Sequence, residues 1–307
     1  MGDIREIKEI WQGEIGRALK GGRVTVMLVL FVLFTALALG ITGSIQHLLA
    51  PAVDPAIGSQ GAQAAAEQAL AGRKKFVSAF TEDEALLEHL AQMPLVLFIV
   101  FKLTMMFGPL FIALMSFDQI SGEIGPKSIR YLVVRVKRSS ILLGKFLAQA
   151  TAAWALLLLC TLLMVGVAKA LNPEFTFTAA LGMGLRLGAV MIVFASAYLG
   201  LSSLCSAVTR QSGVSLVLNV ILLFVIWSLS FIGNIFRLPG EEAVFGTIST
   251  IKPEHWMGAM RFGSVWHFGQ DLLHPEPARF LSAAMVHVGF ALFFLGVAHL
   301  ALRRRDL

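Results

Sequence analysis

Apolar residues run in six long blocks along this chain, and polar residues gather between them. A helix needs about 20 predominantly apolar residues to cross the hydrocarbon core of a membrane. The blocks at 24–49, 93–117, 141–171, 181–208, 213–236 and 280–302 each reach that length. Lys102 and a Gly108-Pro109 pair interrupt the second block. Only Thr209, Arg210, Gln211 and Ser212 part the fourth from the fifth, which predicts a hairpin rather than one long helix. The pattern predicts an all-α polytopic membrane protein with six transmembrane helices.

Three stretches outside the blocks have patterns of their own. Ile4, Ile7, Trp11, Ile15 and Ala18 recur at spacings of three and four, while Arg5, Glu6, Lys8, Glu9 and Gln12 fall off that face. Residues 1–23 therefore read as an amphipathic helix lying along a membrane surface. In the loop 50–92, Ala62 to Leu70 is alanine-rich and helical in character, and Thr81 followed by Glu84 reads as a capping box for a helix through Leu90. The loop 237–279 carries Trp256, Phe262, Trp266 and Phe268, side chains suited to a membrane interface, on a re-entrant or surface helix.

Charge orients the bundle. Short loops rich in Lys and Arg stay in the cytoplasm. Arg5, Lys8, Arg17, Lys20 and Arg23 precede the first block; Lys127, Arg130, Arg135, Lys137 and Arg138 follow the second; Arg210 sits in the hairpin; Arg303, Arg304 and Arg305 follow the sixth. The loop between the third and fourth blocks has Glu174 and no Lys or Arg. Every alternate segment agrees on both termini inside, with 50–92 and 237–279 as outer loops. The first block is too long for the core of a signal peptide, and acids precede it, so no cleavable leader is expected.

Composition supports the class and removes others. Hydrophobic residues are 57% and charged residues 14% of the 307, and the formal net charge is +6. Soluble domains carry about 25% charged residues. The bases lie between apolar blocks rather than among groove-reading neighbours, so nucleic-acid binding is not expected. Cys160 and Cys205 fall in different blocks towards opposite leaflets, which separates them too far for a disulfide. No phosphate-binding loop is present, since Gly125-Pro126-Lys127-Ser128 lacks the glycine such a loop needs before its lysine. No His-Glu-x-x-His occurs, and the histidines at 47, 89, 255, 267, 274, 287 and 299 show no ligand spacing. His255, His267 and His274 share one outer loop and could meet a metal, though interfacial histidines without a ligand are far commoner. The spanning blocks contain essentially no acids, which argues against an intramembrane hydrolase and against ion-coupled transport.

The richest stretch is 117–146, FDQISGEIGPKSIRYLVVRVKRSSILLGKF. Acids open it at Asp118 and Glu123, and Ile129, Leu132, Val133 and Val136 form an apolar face broken by Arg130, Arg135 and Lys137. A short helix of this kind can dock on a soluble partner; an ordinary basic loop has the same composition. The stretch resembles the cytoplasmic coupling region of the type-two ABC (ABC-2) exporter permeases. Glu123, Gly125, Tyr131-Leu132, Arg138 and Leu142-Leu143-Gly144-Lys145 match that pattern, and so does the ending Arg304-Arg305-Asp306-Leu307. Pro126, Arg135 and Lys137 depart from it, standing where Thr, Pro and Ser are usual.

The resemblance implies one permease domain over 1–307, acting as the transmembrane subunit of an ATP-driven exporter. It is not an enzyme and holds no cofactor of its own. ATP and Mg would be bound by two separate ATPase subunits, with a second permease copy as homodimer partner and membrane lipid around it. The setting would be a plasma membrane of the bacterial inner-membrane kind. Residues 118–140 would be the coupling segment, engaging an ATPase through Glu123, Gly125, Arg130, Tyr131, Leu132, Arg135 and Arg138. Ile4, Ile7, Trp11 and Ile15 would mark the interface helix. The path would follow the second and fifth spans, making Lys102, Asn219 and Trp227 candidate lining residues. Against that, Lys102 and Arg186 can snorkel to the outer interface, and Asn219 and Trp227 can serve helix packing. A gradient-driven carrier or channel acting alone, and a non-transporting assembly factor, are the other classes such a bundle admits.

Overall fold

The structure, a computed structural model, describes residues 2–20, 22–49, 59–81, 83–126, 128–171, 176–235 and 256–305. Among them there are helices, 3₁₀ turns and connections, and no strand. The helices are α1 (Gly2–Lys20), α2 (Arg23–Leu49), α3 (Ser59–Ser78), α4 (Glu84–Gln92), α5 (Leu95–Ser116), α6 (Ser121–Ile124), α7 (Ile129–Val133), α8 (Arg138–Leu171), α9 (Phe177–Val208), α10 (Ser212–Ile235), α11 (Trp256–Ala259) and α12 (Pro277–Arg303). Six of these, α2, α5, α8, α9, α10 and α12, are long and apolar enough to cross a membrane. The chain is thus an all-α membrane bundle of six spans.

Helix ends follow local chemistry. Thr176 caps α9 by accepting the Ala179 N–H, and the Thr209 hydroxyl closes its other end on the Cys205 carbonyl. The hairpin into α10 follows at once. Pro277 starts α12 at its first turn, where a missing N–H costs nothing. Two expectations need correction. The cap of α4 is Asp83, whose carboxylate accepts from the Leu86 N–H at 3.1 Å; Thr81 instead accepts from the Asp83 N–H. The segment 118–140, expected to carry one short helix, holds two, α6 and α7, on either side of Pro126, which has no N–H to donate to the preceding turn.

Burial ranks the spans. In α9, 72% of the most apolar window is buried, against 17% in α2 and in α10. The core forms where Phe98, Phe101 and Met105 of α5 meet Phe194, Tyr198 and Leu199 of α9. A smaller cluster, with Ile120, Ile129, Leu142, Ala207 and Leu302, seals the end of the bundle where both terminal helices lie. This is the termini end of the bundle.

At the far end, residues 256–273 dip back into the bundle. The Ser264 hydroxyl donates to the Ile226 carbonyl at 2.7 Å, and Gly269 lies against Met105 and Phe194. Met105 is about 15 Å along α5 from Leu95. The segment is therefore re-entrant, reaching roughly half the depth of the hydrocarbon core. Its 3₁₀ turns are tolerated because protein, not lipid, surrounds them. Arg237 to His255, Glu174, Lys127 and the loop 50–58 lie outside the described residues.

Candidate functional site

The termini end holds four charges in one place. α1 crosses the start of α8 at Gly144, where a Cβ would lie 2.8 Å from Ile10 and 3.1 Å from the Ile7 carbonyl. Only glycine allows that approach. Trp11 adds a bond from its indole N–H to the Thr151 hydroxyl at 3.0 Å. Docked this way, α1 brings Glu14 over Lys145, the residue after Gly144. Lys145 Nζ lies 2.6 Å from Glu14 Oε1 and 2.9 Å from Glu123 Oε1. Arg17 Nη1 lies 2.8 Å from the same Glu123 oxygen and 3.1 Å from the same Glu14 oxygen. The Lys145 side chain is 2% exposed. Two acids and two bases balance, so an ammonium that would be costly to bury alone is compensated from two directions. The bond to Glu123 holds the Arg17 guanidinium more firmly in its charged form.

The segment carrying Glu123 is gripped from the other side by serines of α9. Ser206 Oγ accepts the N–H groups of Ile120 and Ser121 at 2.9 and 3.0 Å, capping α6 from another helix. Gln119 donates to Ser203 Oγ at 2.6 Å. Gly125 sits on the Arg210 carbonyl. Arg138 donates to the carbonyls of Leu302, Arg303 and Arg305, and Arg305 donates to those of Val208 and Thr209. Guanidinium groups thus satisfy the open carbonyls at the ends of α12 and α9. Five elements are joined here: α1, the segment after α5, α8, α9 and α12.

The segment's two faces have different surroundings. Ile129 is buried, and Val133 and Val136 are half-buried against the bundle. Tyr131, at 82% exposure, and Val134, at 87%, project outward with Arg135. The side chains of Arg130 and Leu132 lie outside the described residues. On α1, Ile7, Trp11 and Ile15 are half-buried and Ile4 is exposed. The sequence reading missed Ile10 and Glu14 on this face, although both continue the three- and four-residue spacing from Ile7. It also missed the serines of α9, whose run Ser202, Ser203 and Ser206 lies on a span otherwise apolar.

The candidate path residues are not brought together. Asn219 is buried and donates to Ser202 Oγ at 2.5 Å, joining α10 to α9. Trp227 lies on the exposed face of α10, stacked on Phe231 at 5.4 Å between centroids. Lys102 reaches the rings of Phe80 and Phe98 at 5.6 and 5.7 Å, towards the far end.

A second polar cluster stands at that far end. Arg186 meets His89 at 3.0 Å and donates to the carbonyls of Leu273 and His274. Asp83 pairs with Arg279 and faces His274 at 3.4 Å. His274 Nδ1 accepts the Glu276 N–H, while His267 edges against Phe262 and Phe268. Burial pushes the Asp83 carboxyl up, but the Leu86 N–H, Arg279 and His274 outweigh it and hold the group below the usual carboxylate range. Burial, with Arg186 and His274 beside it, holds His89 below the usual imidazole value.

Comparison with known families finds a match to the ABC-2 family transporter proteins over residues 9–307. A search of curated proteins finds no match.

Two outcomes follow from this geometry. Lys145→Ala leaves two half-buried carboxylates to the exposed Arg17 alone and is expected to cost about 2–3 kcal/mol. The triple variant Lys145→Met, Glu14→Gln, Glu123→Gln is expected to recover most of it, both read by thermal unfolding in detergent. At the far end, a lowered imidazole and a lowered carboxyl each favour the deprotonated fold, so their stability is present at neutral pH and lost on acidification. Amide protection of α4 is expected to drop first below about pH 6.5, through His89, and again below about pH 4, through Asp83. His89→Gln is expected to remove the upper step in hydrogen-exchange measurements.

Proposed function

The chain belongs to the ABC-2 family of transporter proteins, a membrane transport component rather than an enzyme, and from that premise we propose that it is the permease driven by ATP on a separate subunit. The termini end then faces the cytoplasm, as the Lys- and Arg-rich segments at 1–23, 118–140 and 303–305 favour. Two ATPase subunits hold ATP and Mg beneath it. A second copy of this chain completes the membrane part, in a bacterial inner membrane.

One observation carries the reading: the charge cluster of Glu14, Arg17, Glu123 and Lys145 ties an outward-pointing tip to the spans. An isolated basic loop would move without consequence. Here a push on Tyr131, Val134 and Arg135 is delivered at Glu123 to α1 and α8, and at Gln119 to Ser121 to α9. ATP does work on such a device only by favouring one of two arrangements over the other. The tip supplies the contact through which that preference enters. In this scheme Glu123 and Gly125 position the segment, Tyr131, Arg135 and their neighbours Arg130 and Leu132 meet the ATPase, and Arg138 holds α12 in register. Ile4, Ile7, Trp11 and Ile15 keep α1 at the interface. Trp227 faces the partner copy or the path from α10, Asn219 holds α10 against α9, and Lys102 serves the outer mouth.

Co-expression with an ABC ATPase subunit tests the scheme. Tyr131→Glu with Arg135→Glu is expected to reduce co-purification of the ATPase at least tenfold. Glu123→Gln is expected to retain the ATPase while ATP hydrolysis in proteoliposomes no longer responds to transport. Unchanged co-purification in the first variant removes the tip as the contact.

A further inference from the structure

Two neighbouring pockets run along one flank of the bundle, between α2, α5 and α8. Leu30, Phe34, Gly108, Met115 and Ala153 line the one nearer the termini end. Leu97, Phe101, Cys160 and Met164 line the other. Phe31, Thr104 and Leu157 belong to both, so the two form one crevice. Leu97 and Met115 lie about 27 Å apart along α5 at the helical rise. The hydrocarbon core of a bilayer is about 30 Å thick. The crevice therefore runs along almost the whole depth that acyl chains occupy.

Its walls are nearly all carbon. The Thr161 hydroxyl is turned back onto the Leu157 carbonyl at 2.8 Å and asks for no partner. Water in such a slot would find too few polar groups to bond, and an empty slot would forfeit dispersion contacts along its length. The geometry leaves it open because α2 leans on α5 chiefly through Phe34, whose ring meets Phe107 and Phe111 edge-on at 6.0 and 5.7 Å. Ala153 of α8, on the wall of the slot, presents little side chain to fill it.

The two ends differ. At the far end the crevice reaches Leu97, within the run Leu95 to Ile99 of α5 that is buried to 5% exposure or less. At the termini end it stops at Leu30, about 12 Å along α2 from Gly22; Gly22 turns the chain between α1 and α2 with φ of 70°, and Lys20 beside it is exposed. A basic residue at the membrane surface attracts the phosphate of an anionic lipid.

We propose that the half of this crevice nearer the termini end binds one acyl chain of an anionic phospholipid from the leaflet on the α1 side, with its headgroup towards Lys20 and the chain running from Met115 to Thr104, about half the depth of the core. The lipid fills that half of the gap between α2 and the α5–α8 pair. This site is separate from the charge cluster and stands whether or not the transport scheme holds.

The test is lipid retention by the full-length protein, reconstituted in nanodiscs of phosphatidylglycerol or phosphatidylcholine, extracted, washed in mild detergent and measured by mass spectrometry. The wild type is expected to keep about one phosphatidylglycerol per chain. Thr104→Phe and Leu157→Trp, at half-buried positions on opposite walls, are expected to cut retention at least fivefold at unchanged melting temperature. Leu159→Phe, on the exposed side of α8, is expected to leave it unchanged. Lys20→Ala is expected to lower phosphatidylglycerol retention two- to threefold and leave phosphatidylcholine alone. A wild type that keeps no phospholipid, or filled variants that keep as much as wild type, overturns the site. A Lys20→Ala protein that keeps phosphatidylglycerol in full overturns the assigned leaflet.

Discussion

Lys145 carries a positive charge to a place that solvent barely reaches, and the termini end is organised around that demand. A buried ammonium must be matched by carboxylates at hydrogen-bond distance. Here the two that match it come from different elements: Glu14 from the first helix and Glu123 from the segment after the second span. If either α1 or that segment leaves, the ammonium keeps one carboxylate in place of two. Gly144 permits the approach of α1, and Arg17 closes the square by bridging both acids. The electrostatic requirement of one side chain thus becomes a mechanical joint between three elements.

That joint is extended by cheaper bonds. Ser203 and Ser206 hold the same segment to α9, the most buried span, and Arg138 and Arg305 close the open carbonyls of α12 and α9. α9 is the natural recipient of any displacement, since it touches the core along most of its length. α2 and α10 are the opposite case, largely exposed, with a crevice beside α2 that suits a lipid chain. The bundle therefore combines a stiff centre with flanks that depend on what the membrane supplies.

The architecture was legible because crossing a bilayer demands about 20 apolar residues, and that demand leaves blocks no loop can imitate. The ends were less so. α4 was expected to be capped by Thr81, yet Asp83 takes the role, with its carboxylate also facing Arg279 of α12 and His274 just before it, far along the chain. The single short helix expected within 118–140 becomes two, because Pro126 cannot donate to the turn before it. At the site, the motif Leu142-Leu143-Gly144-Lys145 pointed to the right place but not to the reason. Glu14 lay on a face read as apolar, and Ser206 caps a helix 85 residues away, a pairing that no local pattern encodes. Contacts of that kind exist only once the spans are packed.

The central claim is that α1, the tip and the start of α8 move as one body. Spin labels at Gln12 on α1 and Val134 at the tip, read by double electron–electron resonance with the ATPase nucleotide-free and ATP-bound, test it most directly. The account predicts a distance between them that stays constant to within about 1 Å, comparable to the interface backbone shifts of pre-organised complexes, while the distance from Val134 to a label on α2 changes. A Gln12–Val134 distance that changes with nucleotide state would contradict it.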